Sequence, residues 1–534
     1  MKPRTRSLSA ALALISLTAV VVLLQPVPVE AQQDQAAAPV FRVNSRIVVL
    51  DVTVRDKKGN LVTGLGKGDF AVSEDGVPQT IRSFETTEQH RLPAPASPGA
   101  AVVTSTADLK KIGDAPVTIL VLDELNTPWP DMSQVRQALE KYLAAQPPVM
   151  VQPTALMFVG SNKFAVIQDF TQDRGAMQAA LKKHFPALPT QLMLDDGSGQ
   201  AAPRMSQTLG SLVQIAEATQ NYPGRKNVIW VGRGFPSLNS AVVDDDVAMQ
   251  AIYDGIRKTT SKMLAARMTL NTIDPTMLSP SISDDEDDVV ETLSSDNQGQ
   301  ALQTAGDINF TALAPATGGR SFWLDNFVDK EIATSVAEGS VYYTISYAPT
   351  NKTEDPKALR KIHITMRDKS LTATTRSGYF AEPVEKTAEM VKEKDELSSL
   401  KFDLDAAAMS NMIYTGLAVT AEPDKAKGTK LGESGVYKVT IAAGGLEWRP
   451  QSDGANSSIA EVSIMVQSFS AKNKPLTNAV SEHNATSEAP PAELSKGSAA
   501  FDVAVKIPEN AVRIRFVVRD LYNGHIGTAD LTLP

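Results

Sequence analysis

The central part of this 534-residue sequence predicts an α/β fold with a doubly wound, mostly parallel sheet, a small β unit before it and a β-sandwich after it. Three observations carry the prediction. Val117–Leu122, Thr154–Val159, Asn227–Val231 and Met268–Ile273 are short apolar runs without alternation, as expected of strands covered on both faces. Stretches with helical spacing lie between them: Met132–Ala145 with Val135, Leu139 and Leu143 on one stripe, Arg174–His184, and Met205–Thr219. Beyond Phe402 the pattern changes to alternating segments separated by turn residues.

The elements follow in order. Residues 1–31 have a basic start (Lys2, Arg4, Arg6), an apolar run and a small-residue exit at Ala31, the layout of a secretory signal peptide; retained, the same run would be an anchor. Residues 32–40 are a small, polar tail. In 41–87, Val48, Leu50, Val52 and Val54 share one face of a half-buried strand, and the turns at Asp56–Asn60 and Glu74–Gly76 give a unit of about four antiparallel strands. Residues 88–113, rich in Pro, Ala and Gly, read as a linker.

The α/β domain spans 114–382. Only Gly160–Lys163 separates Thr154–Val159 from Phe164–Asp169, too few residues for a crossover helix, so this pair is an antiparallel hairpin at the sheet edge. An acidic loop at 275–306 interrupts the domain. A short helix at Ile308–Ala316, a strand at Tyr342–Tyr347 and a hairpin at Arg360–Arg376 complete it. Residues 383–401 read as a linker helix and 402–534 as an immunoglobulin-like β-sandwich with strands at Ile413–Val419, Val436–Ala442, Ala460–Phe469, Ala499–Ile507 and Val512–Asp520.

Composition narrows the functional classes. With no cysteine, the fold rests on buried apolar area, and thiolate chemistry is excluded. His90, His184, His363, His483 and His525 have no metal-ligand spacing. A net charge of −9 argues against a nucleic-acid partner, because phosphate contacts demand a basic face. There is no GxSxG, P-loop or GxGxxG in context, and Asp195–Asp196 and Asp244–Asp246 sit in polar loops, so an enzyme is not expected.

Several runs, DVTVRDKKGNLVTGLGKGDFAVSEDGVPQTIRSFE above all, then VTILVLDELNT, DFTQDRGAMQAAL, GRKNVIWVGRGFP, LAPATGGRSFW, YYTISYAP and TTRSGYFA, stand in the order found in one family. Over Phe41 to about Phe380 the chain resembles the exported VWFA-related proteins described from acidobacteria, whose core looks like the von Willebrand factor A (VWA) domain. The resemblance implies a recognition domain. In the wider family a divalent metal at the top of the sheet is held by Asp-x-Ser-x-Ser, a Thr and an Asp.

In this sequence Asp123 fills the first position, Leu125 replaces the first Ser, and Thr127 supplies the third oxygen. Arg233 stands where the resemblance places the Asp after the fourth strand, and a guanidinium repels a cation. Asp123 and Thr127 are thus the metal candidates of a degenerate site for Mg2+ or Mn2+, with no cofactor as the leading reading. In a metal-free site Arg233 would pair with Asp123. Asp123, Asn126, Trp129 and Arg233 are the partner-binding candidates, Trp129 as an aromatic anchor.

The expected function is an exported, periplasmic or extracellular, adhesion-like module that recognises a protein partner through the top of the α/β domain. It would contact the membrane only if its N-terminal segment is kept. The alternatives are a structural or assembly component of the cell envelope and, more remotely, a hydrolase.

Overall fold

The computed structural model describes residues 47–93, 101–161, 163–186, 201–235, 246–275, 310, 313–322, 327–350, 359–380, 393–410, 412–424, 432–450, 457–489 and 491–533. The signal-peptide and tail segments, nearly all of the acidic loop, Asp195, Asp196, Asp244, Asp245 and Trp323 lie outside them. Among the described residues no helix is long and apolar enough to cross a membrane.

The first strands are β1 (Val48–Arg55), β2 (Phe70–Glu74), β3 (Val77–Gln79) and β4 (Ile81–Glu85). The central sheet follows with β5 (Val117–Asp123), β6 (Val149–Gly160), β7 (Lys163–Asp173), β8 (Lys226–Val231), β9 (Met268–Ile273) and β10 (Ser321–Phe322). Its order is β10-β9-β8-β5-β6-β7, parallel throughout except for the β6–β7 hairpin. The chain moves from β5 toward β7 and then returns to the other side of β5 at β8. This makes the β5–β8 boundary the topological switch point.

Each core strand is buried on both faces because helices cover both. Leu120 and Leu122 pack with Met132, Val135 and Leu139 of α1 (Trp129–Ala145) and with Met177 and Leu181 of α2 (Arg174–Lys183). Ile119 and Val121 share a core with Met205, Leu212 and Ile215 of α3 (Ala201–Thr219) and with Ile256 and Met263 of α4 (Asp246–Ala265). Burial of each such side chain is worth about 1.5–3 kcal/mol. A short α5 (Leu313–Ala316) and α6 (Val328–Ser340) complete the layer. The sequence reading did not anticipate α4 or α6.

Apart from the β2–β3 pair, the first strands do not close on themselves. They pair with β11 (Tyr343–Tyr347), β12 (Leu359–Met366), β13 (Thr372–Thr374) and β14 (Gly378–Phe380), from beyond the central sheet, in two sheets ordered β13-β1-β11-β4 and β14-β12-β2-β3. Leu50, Val52, Phe70, Val72, Ile345, Tyr347, Ile362 and Ile364 fill the space between them. The segments read as a separate N-terminal unit and as the end of the α/β domain are therefore halves of one sandwich, with the central sheet inserted between them. β1 is buried on both faces rather than half-buried, because its polar face meets the central domain. Asp51 pairs with Arg267 at 2.6 Å, and Thr53 accepts from Arg225 at 3.2 Å.

Two further expectations are corrected. The described part of the 88–113 linker is packed, with Val103, Leu109 and Ile112 in the central core. The helix read as a linker is α7 (Glu393–Met409), and its last turns bury Leu404, Ala407 and Ala408 in that same core. Buried Arg515 donates to the carbonyls of Ala407 and Ser410 at its C-terminal end, a favoured place for a cation, and forks onto Asp530 at 2.8 and 2.6 Å.

The C-terminal part has β15 (Val419–Pro423), β16 (Ser434–Ala442), β17 (Arg449–Pro450), β18 (Ser458–Ser470), β19 (Pro475–Ser487), β20 (Ser498–Lys506), β21 (Ala511–Asp520) and β22 (Ile526–Thr532). Antiparallel sheets β15-β16-β20 and β17-β18-β21-β22, with β19 along β18, enclose Val439, Ile441, Val462, Ile464, Phe516 and Val518. The strand expected at Ile413–Val419 begins only at Val419. Before it, Met412 and Tyr414 instead join the central core, and Tyr414 donates to Gln214 of α3 at 3.1 Å.

Candidate functional site

Asp123 ends β5 at the switch point, at the carboxyl edge where open α/β sheets place ligands. It is fully buried. Its Oδ1 accepts from the backbone N–H groups of Leu125 at 3.1 Å and Asn126 at 3.0 Å, the geometry of an Asx turn. Its Oδ2 accepts from Gly234 N at 2.6 Å and Trp230 Nε1 at 3.2 Å. Asn126 Nδ2 adds longer contacts of 3.4 and 3.5 Å to the two oxygens. Burial pushes the Asp123 carboxyl up to about 6, opposed by the N–H groups of Asn126 and Gly234 and by the Trp230 indole.

The loop after β8 is shaped to make these contacts. Gly232 has φ +140°, and a Cβ there would overlap Thr127 Oγ1 and Asp123 Cβ. Gly234 has φ +78°, and a Cβ would overlap the Phe310 ring. Only glycines let this loop lie against β5. Thr127 Oγ1 accepts from Arg233 N at 3.1 Å, and Asn126 Nδ2 and Thr208 Oγ1 both donate to Gly234 O, at 2.6 and 2.8 Å.

This arrangement does not fit a divalent cation. Magnesium needs a near-octahedral set of oxygens. Here five N–H donors surround the Asp123 carboxylate, Leu125 points into the apolar core, and Arg233 rather than a carboxylate follows β8. Glu124 offers no substitute ligand: it points away from Asp123 and pairs with His184 Nε2 at 2.6 Å.

The sequence-predicted residues separate into two layers. Asp123 and Asn126, expected as partner contacts, are buried, as is Thr127, expected as a metal ligand; all three hold the two loops together. Trp129 opens α1 and is 44% exposed. Arg233 is half-buried. No bond or ion pair joins its guanidinium to Asp123 among the described residues, so the expected substitute for a metal is replaced by N–H groups. Arg233 instead acts on Asp131, whose carboxyl is raised by burial and by Asp274 and lowered by Arg233. Sequence reasoning missed Trp230, Thr208 and the Gly234 N–H; the glycines flanking Arg233 were the available signal.

No family model matches the chain, and no curated protein matches it. Among solved structures, the chain is similar to the VWA domain of SpRpn10 at 15% identity, covering 30% of this chain and 90% of that one, with a TM-score of 0.16. The strand order, the antiparallel edge hairpin and the helices on both faces define the central domain as a doubly wound, mostly parallel α/β domain.

Proposed function

We propose that the chain is an exported protein-binding module, not an enzyme, whose VWA-like domain recognises a partner without a bridging metal. The observation that supports this most is the sealing of Asp123 by N–H donors beneath a surface that presents Trp129 and Arg233. Arg233 N bonds Thr127, two residues before Trp129, so one rigid loop pair positions both side chains. A half-exposed tryptophan on the segment that holds the Arg233 backbone has the make-up of an interface anchor, and Asp131, on which Arg233 acts, gives the patch mixed charge.

The test is photo-crosslinking in the producing cells, with the crosslinking residue at position 129 or at 480 of the full chain. The reading expects a discrete adduct from position 129 that survives EDTA and is lost with Arg233→Glu. Loss of the adduct in EDTA would overturn metal independence.

A second reading, an assembly component of the envelope, draws on β19. Among the described residues this 13-residue strand pairs with β18 alone and leaves Val480 53% exposed, so its other edge is open there to strand addition. Adducts from position 480 alone would favour that reading.

A further inference from the structure

The opposite end of the central sheet holds a second group of ionisable side chains. Glu85 closes β4, His90 lies in the turn after it, and Asp114 stands just before β5. His90 is 1% exposed, and its ring stacks on Tyr342 with centroids 4.3 Å apart and planes 11° apart. Its Nδ1 lies 3.0 Å from Asp114 Oδ2, and its Nε2 lies 3.7 Å from Glu85 Oε2. One ligand-type atom from each of the three residues falls within 4.8 Å of the other two. The Glu85 and Asp114 side chains are 40% and 38% exposed. The cluster is thus dry on its imidazole side and open to solvent on its carboxylate side.

One imidazole and two carboxylates are a donor set suited to zinc, which takes nitrogen and oxygen at about 2.0–2.2 Å. Two ligands at that range from one ion lie roughly 3.0–3.5 Å apart, which is where Nδ1 and Asp114 Oδ2 already stand. The surroundings also orient the ring. Nε2 is 3.1 Å from Thr344 Oγ1, which accepts from Arg267 at 3.0 Å and donates to Asp51 at 3.1 Å. With the Thr344 hydrogen directed to Asp51, Nε2 carries the imidazole proton and Nδ1 turns a lone pair toward the Asp114 carboxylate, so the ion sits on the Nδ1 side and the half-exposed Glu85 side chain swings from its place 3.7 Å from Nε2 to reach it. A cation between Nδ1 and Asp114 resolves that opposition, and an outer hydrogen bond on the far nitrogen is the usual way a ligating histidine is fixed.

We propose that Glu85, His90 and Asp114 bind one zinc ion, which ties the sandwich to the entrance of the central sheet. The site is independent of the recognition reading, since it lies at the other end of the strands from Asp123.

The test is calorimetric titration of Zn2+ into the metal-stripped full chain, with bound zinc counted by mass spectrometry and melting followed with and without the ion. One equivalent should bind and raise the melting temperature. Glu85→Gln, a half-exposed change that spares the fold, should weaken binding at least tenfold. His90→Gln should abolish it, and Asp123→Ala should leave it intact. Absence of saturable binding to the wild-type chain would overturn the proposal, as would binding indifferent to Glu85→Gln and His90→Gln. So would nitrogen NMR showing a proton on His90 Nδ1 at saturating zinc, since a plain His90–Asp114 hydrogen bond would then account for the geometry.

Discussion

The indole N–H of Trp230 lies 3.2 Å from Asp123 Oδ2, and both residues are fully buried. A donor on β8 thereby neutralises part of a charge on β5. Trp230→Phe keeps most of the apolar volume but removes one donor from a buried carboxylate, so a loss of about 1–3 kcal/mol is expected in urea unfolding. Asp123→Asn should cost at least as much, because in either amide orientation an NH2 group faces backbone or indole donors. Wild-type stability in both variants would mean that the carboxylate is not held as described.

The pH response of Asp123 follows from its carboxyl being raised from 3.8 to about 6. The folded state then holds the proton more tightly than the unfolded state. The stability this contributes is complete below pH 3.8 and is lost as pH rises to about 6. Urea midpoints measured from pH 4 to 7 should show a falling component in the wild type that is absent in Asp123→Ala.

Lys226 has the opposite sign. It is fully buried at the start of β8, where its ammonium donates to the Tyr222 carbonyl, and burial, with Arg267 adding to it, lowers it from 10.5 to about 7. Its contribution to stability is complete above pH 10.5 and is lost as pH falls through about 7. Lys226→Met should raise the melting temperature at pH 7 and flatten the wild-type rise between pH 7 and 10, as calorimetry at several pH values would show.

Gly232→Ala should cost at least about 1–3 kcal/mol from backbone conformation alone, with further loss from overlap with Thr127 and Asp123. The same substitution at Gly59, which has φ +84° but open space around it, should cost less. Equal losses at the two sites, measured by chemical unfolding, would show that the loop yields.

A chain shortened to begin at Asp114 would lack β1–β4 and uncover Ile345, Tyr347, Ile362 and Ile364. It should aggregate or melt far below the full chain in light-scattering and calorimetric tests. A soluble, cooperatively folded product would show that β11–β14 stand alone.

The core strands were legible because helices cover both faces, leaving a mostly apolar run in β5 and in Val228–Val231 of β8, while β9 carries Thr269, Asn271 and Thr272 among its apolar residues. α4 was not, since Gly255 and the Thr259–Thr260 pair break up its helical signal. β19 escaped notice because its side chains are mostly polar and its pairing is carried by backbone. In the site, Asp123 and the missing hydroxyl at Leu125 could be read directly from residue type. The seal over Asp123 could not, because a backbone N–H such as that of Gly234 leaves no mark in side-chain chemistry. Which strands would pair with β1 was equally hidden, since partners so distant in sequence share no local signal.

That pairing sets the order in which the chain can mature. Val48 meets Tyr347, about 300 residues later, and β4 lies beside β11. Apart from the local β2–β3 pair, the first strands to emerge during synthesis therefore lack their partners until the whole central domain has followed. The central sheet, with its nearer contacts, can condense meanwhile and bring the two halves of the sandwich together. Until then β1 has both edges open and β2 the edge that β12 will cover, and the waiting time, more than the final stability, sets the chain's exposure to aggregation and to proteases.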